Sequence, residues 1–81
     1  MEVRYTAAAQ RDLRKLPAEA GAAVRARLAA LAAGADNLDV QRVKGRAGAY
    51  RLRVGRYRAI FERTRNAILV YGVAHRREVY R

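Results

Sequence analysis

The chain opens on alternation. Val3 and Tyr5 interleave with Glu2 and Arg4, which predicts a short strand over residues 1–6. From Ala7 the period changes. Ala9, Leu13 and Leu16 recur at helical spacing, with Arg11, Arg14 and Lys15 off that face. Thr6 stands where its hydroxyl can cap this first helix. Pro17 disfavours helical backbone at Leu16 and fits the first turn of a second helix, where a missing N–H costs nothing. Glu19 suits the positive start of that helix. Val24, Leu28 and Leu31 then repeat at i, i+4 and i+7, and Gly34 follows as the residue just past the helix end. Residues 7–33 therefore read as a helical hairpin. Its shortage of large side chains implies close packing against something flat.

The second half reads as sheet. Residues 35–37 are a loop, Leu38–Val43 is a short apolar–polar segment, and Lys44-Gly45-Arg46-Ala47-Gly48 is a turn by composition. That turn is too short for a P-loop and lacks its Gly-Lys-Ser/Thr ending. Tyr50, Leu52 and Val54 alternate with Arg51 and Arg53, and Gly55-Arg56 supplies a two-residue turn with glycine first. The register follows from that turn. Val54 faces Tyr57, Arg53 faces Arg58, Leu52 faces Ala59 and Arg51 faces Ile60. Tyr50, Leu52, Val54, Tyr57, Ala59 and Phe61 then share a core face, and Arg51, Arg53 and Arg58 share the opposite one. After the polar turn at residues 63–66, Ala67–His75 is nearly continuous in apolar residues and is expected to be central in the sheet. Gly72 within it marks a bulge or a close approach. A basic tail follows, with Val79 and Tyr80 as anchors.

Composition narrows the function classes. Eighty-one residues make one domain near the lower limit of unaided folding. Of 42 hydrophobic residues, 18 are alanine, enough for one two-layer core but not for an internal ligand chamber. Function is thus expected on a surface. With no cysteine and only His75 as histidine, neither a disulfide framework nor a Cys- or His-rich metal site is plausible, so no metal or cofactor is expected. Glu2 and Arg4 stand where an apolar leader would begin, and no apolar run approaches the roughly 18–20 residues of a membrane span. A soluble, cytoplasmic protein with no membrane partner is expected.

Charge sharpens this. The net charge is +11, and 16 of the 18 cations are arginine. Residues 1–41 carry a net of +1, while residues 42–81 carry +10. GC-rich codon usage raises arginine and alanine together, yet it leaves that asymmetry unexplained. So one-sided a field favours a polyanion: nucleic acid, an acidic protein or, less readily, an anionic membrane. The guanidinium fork also suits phosphate. Arg53 opposite Arg58 is a like-charge pair that costs about 0.2–1 kcal/mol in a sheet, and such breaches of local consistency tend to mark function. Two readings stay open here: a phosphate or carboxylate cradle on rigid strands, or a solvated face whose arginines splay apart.

Cleavage of RNA through its 2′-hydroxyl needs a base, cations on the crowded phosphorane and an acid for the leaving oxygen. Arginine serves the second role and is a poor base, with a pKa above about 12. The proton-transfer candidates are His75, Tyr80, Glu62 and Glu78. Arg76, Arg77 and Arg81 surround Tyr80 in sequence and favour its phenolate, and His75 titrates near neutrality by default. Each also has a plainer role: Tyr80 as a pin for the tail, His75 as a strand-end surface residue, Glu62 as a balance for nearby arginines.

Four segments together resemble the RelE/ParE superfamily of type II toxin–antitoxin toxins. They are AQRDLRKL over Ala9–Leu16, Val43-Lys44-Gly45, YRLRVGRYRAIF over Tyr50–Phe61, and VAHRREVYR over Val73–Arg81. The resemblance spans essentially the whole chain. It implies a single RelE-like domain over residues 1–81 with an α+β fold, β-α-α-β-β-β, also seen in microbial ribonucleases. An antiparallel sheet would pack on the N-terminal helical hairpin, with the first strand beside the last long one. It further implies a metal-independent endoribonuclease that cuts mRNA in the ribosomal A site. By the resemblance, Lys44, Arg51 and Arg53 match RNA-binding cations, Arg58 and Arg76 match the transition-state cations, and Tyr80 matches the proton-transfer tyrosine. His75 and Arg77 are secondary candidates. Two departures stand out: the early cations are often lysines in such ribonucleases, and the tail is shorter, so Arg76 and Arg77 compete for one position. The implied partners are an acidic RelB-like antitoxin and, for the toxin–antitoxin complex, operator DNA. The same scaffold also serves ParE-like toxins that inhibit DNA gyrase without cutting RNA, and a decayed toxin would keep antitoxin binding alone.

Overall fold

Thr6 starts the first helix as its position suggests: the hydroxyl accepts from the Ala9 N–H at 3.1 Å. The computed structural model describes residues 1–75. Arg76, Arg77, Glu78, Val79 and Tyr80, singled out above, lie outside the described residues. Along the chain run β1 (Glu2–Tyr5), α1 (Ala7–Arg14), α2 (Ala18–Ala32), β2 (Val40–Arg42), β3 (Ala49–Val54), β4 (Tyr57–Arg63) and β5 (Ala67–His75). Pro17 sits one position earlier than its chemistry suggested, as the N-cap of α2 rather than inside its first turn. Helix α2 ends on a Schellman motif. Gly34 takes φ +96°, its N–H reaches the Leu31 carbonyl, and the Ala35 N–H reaches that of Ala30.

The strands form one sheet in the order β1-β5-β4-β3-β2. The β3–β4 pairing has the register inferred from the Gly55-Arg56 turn, with Val54 opposite Tyr57, Arg53 opposite Arg58, Leu52 opposite Ala59 and Arg51 opposite Ile60. Gly55 has φ +59°, and among the described residues no non-glycine residue has positive φ, which fits a II′ turn rather than I′. Two features depart from a four-stranded antiparallel sheet. Residues 40–42 of the apolar–polar segment add a fifth strand, β2, along β3. β1 runs parallel to β5, so the sheet is mixed. β5 is interior, as its apolar run implies, though β4 holds the middle place.

The apolar face closes the core. Leu52, Ala59, Phe61, Ile68, Val70 and Val73 from the sheet meet Ala9, Leu13, Val24, Leu28 and Leu31 from the two helices. At Gly21 of α2 a Cβ would stand 3.6 Å from the Leu13 carbonyl, so a small residue lets the second helix approach the end of the first. β1 covers β5 only as far as Val70, and α1 takes over beyond it. The Thr6 hydroxyl donates to the Tyr71 carbonyl at 3.1 Å, and Asp12 Oδ2 accepts from the Val73 N–H at 2.9 Å. These side chains satisfy strand-edge groups that a longer β1 would otherwise pair. Ile60 pairs with Gly72 and Phe61 with Val70, so Tyr71 is the extra residue of a bulge next to the glycine that marked it. No helix among the described residues is long and apolar enough to cross a membrane.

Candidate functional site

The face away from the helices carries the unusual chemistry. Strand alternation places Arg51 and Arg53 of β3 on it, with Arg58, Ile60 and Glu62 of β4. Arg53 and Arg58 lie directly opposite one another, and Ala74 stands across from Arg58 on β5. Arg58 is 5% exposed, an extreme position for a guanidinium. Its Nη1 donates to the Tyr57 carbonyl at 3.2 Å, and among the described residues no carboxylate forms an ion pair with it. A buried charge held by one carbonyl is expensive for folding. Its value is a fixed donor group aimed at one place.

That place is a small cavity of about 50 Å³ lined by Asp39, Gln41, Arg51, Arg53 and Arg58. It has room for one small polar group, such as a water or a phosphoryl oxygen. The Arg53 N–H donates to the Asp39 carbonyl at 2.9 Å, which carries the β2–β3 ladder one step past Val40. Gln41 pairs with Arg51 in register, and its Oε1 accepts from Arg51 Nη2 at 2.8 Å. A larger open groove of about 720 Å³ adjoins it and shares Arg51 and Gln41. Lys44, Arg46, Ile60, Gly72 and Asp12 also line this groove.

The structure thus brings together Arg51, Arg53 and Arg58 around one cavity, and Lys44 lines the adjoining groove along with Arg51. It does not bring His75 to them. His75 lies opposite Tyr57, and thus on the helix-facing side, with the two rings edge to face at 5.8 Å. Among the described residues no three His, Asp or Glu side chains group as a metal site would require. Asp39, Gln41, Asp12 and Tyr71 are additions. Gln41 becomes visible only once β2 is paired with β3, and Asp12 lies off the apolar stripe of α1.

Glu62 does more than balance arginines. Its carboxylate takes a hydrogen bond from the Tyr71 hydroxyl, and this bond, more than burial or simple attraction, pushes the Tyr71 pKa up; Arg46 opposes the rise. The Arg46 guanidinium lies over the Tyr71 ring, 5.6 Å from its centroid. Because the folded pKa lies above the ordinary 10.0, this contribution to stability is full below pH 10.0 and fades as pH rises through the folded value. An NMR titration of the Tyr71 ring carbon should show the raised value, and Glu62→Ala should lower it. An unchanged titration would rule out the hydrogen bond as its cause.

Residues 3–80 match the family described as the ParE toxin of type II toxin–antitoxin system, parDE. The chain belongs to the ParE toxin family. It is a toxin of the RelE/ParE superfamily, and its fold agrees with solved relatives. A chain in the RelB–RelE antitoxin–toxin complex of Methanococcus jannaschii superposes with TM-score 0.77 at 24% identity, covering 95% of this chain and 94% of that one. For the RelBE2 complex of Mycobacterium tuberculosis the values are 0.67, 27%, 91% and 95%. For the archaeal RelE–RelB complex of Pyrococcus horikoshii OT3 they are 0.70, 22%, 93% and 93%. No curated protein matches the sequence. Within this ParE-family toxin, the arginine face is the surface with the densest chemistry.

Proposed function

We propose that this toxin is a metal-independent endoribonuclease that cuts mRNA on the ribosome and so arrests translation. One observation carries the reading: a buried, oriented Arg58 directly opposite Arg53, with Arg51 lining the same cavity. In-line attack by a 2′-oxygen builds negative charge on the phosphorane, and rigid guanidinium donors stabilise it without reorganising. Arg51, Arg53 and Lys44 hold the strand through its phosphates. Arg58, joined by Arg76 or Arg77 of the tail, stabilises the transition state, and Tyr80 moves the proton. His75 pairs across the strands with Tyr57, on the side of the sheet away from the cradle, and is given no step here.

An acidic antitoxin partner fits the same face. The solved relatives are antitoxin–toxin complexes, and residues 42–81 of this chain carry a net charge of +10. An anionic segment laid over Arg51 and Arg53 would neutralise that excess and block RNA together.

The family match favours a second reading, a toxin directed at DNA gyrase that performs no cleavage. Induced expression separates the two. Under the ribonuclease reading, growth arrest by the wild type is relieved by Tyr80→Phe, which removes only a hydroxyl. Arrest of equal strength in that variant removes Tyr80 from the chemistry.

A further inference from the structure

The turn that joins β2 to β3 stands clear of the sheet, and an arginine ties it back. Residues 44–48 are all exposed, and Gly45 and Gly48 both take φ +80°, so the local sequence leaves this backbone loosely specified. The Val43 N–H donates to the Ala49 carbonyl at 3.0 Å, and the Ala49 N–H to the Arg46 carbonyl at 3.2 Å, which closes the base of the turn. The Arg46 guanidinium leaves the turn and lies over the Tyr71 ring of β5, 5.6 Å from its centroid. β4 separates β3 from β5, so this contact spans the face instead of joining neighbouring strands. Tyr71 is itself fixed twice. Its carbonyl accepts from the Thr6 hydroxyl at 3.1 Å, and its own hydroxyl donates to Glu62. It is the extra residue of the bulge, and two positions on the Val73 N–H donates to Asp12 Oδ2 at 2.9 Å, so α1 holds the strand on both sides of the bulge. Lys44 stands two residues before Arg46 in the same turn and lines the groove beside the cavity.

We propose that Tyr71 is a positioning residue for RNA binding: by holding Arg46 it fixes the turn, and the fixed turn keeps Lys44 against the groove. The inference rests on the RNA-binding part of the reading above and adds how one of its cations is placed. A lysine on a free turn samples many positions, and losing that freedom when a phosphate binds weakens the contact. A turn tied to the sheet beforehand has already lost it. The ring suits this task because it holds a guanidinium without cancelling its charge. Arg46 thus acts as the tether and Lys44 as the phosphate ligand. Tyr71 touches neither RNA nor Lys44 and acts through Arg46 alone.

The salt dependence of binding tests this with the full chain. The probe is a fluorescent, uncleavable 2′-O-methyl uridine hexamer, followed by anisotropy between about 50 and 200 mM salt. Each phosphate contact to a single strand contributes about 0.7 to the slope of log affinity against log salt. Lys44→Ala should therefore make the wild-type slope shallower by about 0.7. Tyr71→Ala changes no charge, yet it should move the slope most of the way to that of Lys44→Ala. The double variant should go no further than Lys44→Ala alone, because both changes remove one contact. Tyr71→Phe keeps the ring under the guanidinium and should restore the wild-type slope. A wild-type slope in Tyr71→Ala overturns the positioning role and leaves the RNA-binding reading standing. Tyr71→Phe falling as far as Tyr71→Ala overturns the ring as the holding group. An unchanged slope in Lys44→Ala removes the contact that Tyr71 would position and overturns the inference. Failure of the wild type to bind the hexamer overturns both the inference and the RNA-binding reading. If Tyr71→Ala does not fold, Arg46→Ala on the exposed turn replaces it. Adding Lys44→Ala to Arg46→Ala should then cost less than half of its effect in the wild type, and a full effect overturns the tether.

Discussion

Arg58→Ala is expected to lower RNA cleavage by about 100- to 1,000-fold, the usual loss when one fixed donor to a developing oxyanion is removed. The reason lies in how Arg58 is held. It is buried, its Nη1 is anchored on the Tyr57 carbonyl, and it lies across β3–β4 from Arg53. A solvated arginine would have to be ordered at the moment of reaction, whereas this one is ordered in the resting protein. The fold should not suffer: among the described residues Arg58 has no carboxylate partner, and its desolvation costs more than the one hydrogen bond found there returns. The thermal midpoint of Arg58→Ala should equal or exceed that of the wild type. Arg58→Lys, which keeps charge and loses the fork, should fall between the two in rate. Single-turnover cleavage and a melting curve on the same preparations check both halves. A midpoint that falls along with activity would make Arg58 a structural residue and not a chemical one.

Phe61→Ala should act in the opposite way. Phe61 is fully buried on the other side of β4 and stacks on Tyr50 at 5.6 Å. Truncating a buried phenylalanine costs about 3–5 kcal/mol, against a total stability of about 5–15 kcal/mol for a domain. Melting followed by circular dichroism should therefore drop by roughly 15–30 °C. Toxicity should be lost only where the chain is unfolded, so cooling should restore it. A shift of a degree or two would show that β4 is not pinned to the core through this ring. Arg58 and Phe61 stand three residues apart on opposite faces of one strand. The two variants thus separate the chemistry of the sheet from its support.

Much of this architecture is legible in the sequence. The hairpin from Tyr50 to Phe61 follows from alternation and from Gly55, and each inferred pair is observed. Thr6 and Gly34 signal the helix ends because their chemistry is local. What escapes is tertiary. β2 has three residues and only Val40 is apolar, so its pairing with β3 leaves little trace in periodicity. Gln41, which holds Arg51, is hidden with it. The burial of Arg58 depends on the layout of the whole face, since an arginine in an alternating strand looks solvated. Asp12 reads as one more polar residue on a helix, yet it satisfies an N–H sixty-one positions later in the chain. For His75 the sequence shows chemistry without placement: its imidazole invites a catalytic role, and only the strand pairing sets it opposite Tyr57.

The arginine face also explains how one basic surface can serve attack and control. The family places the chain among toxins of toxin–antitoxin systems, and a toxin must be silenced without being unfolded. A surface that holds RNA by charge can be covered by an acidic chain, and both contacts weaken with added salt. The cradle alone adds oriented, buried charge, and there the proposed chemistry resides.

Primer extension on a translated message tests the central claim most directly. With wild-type toxin added to a translating system, new 5′ ends are expected inside codons of the reading frame. They should be absent from the same message without ribosomes and absent with Arg58→Ala. Intact message under translation arrest or growth arrest, accompanied by gyrase-linked DNA breaks, would contradict the account and assign the toxin to the topoisomerase.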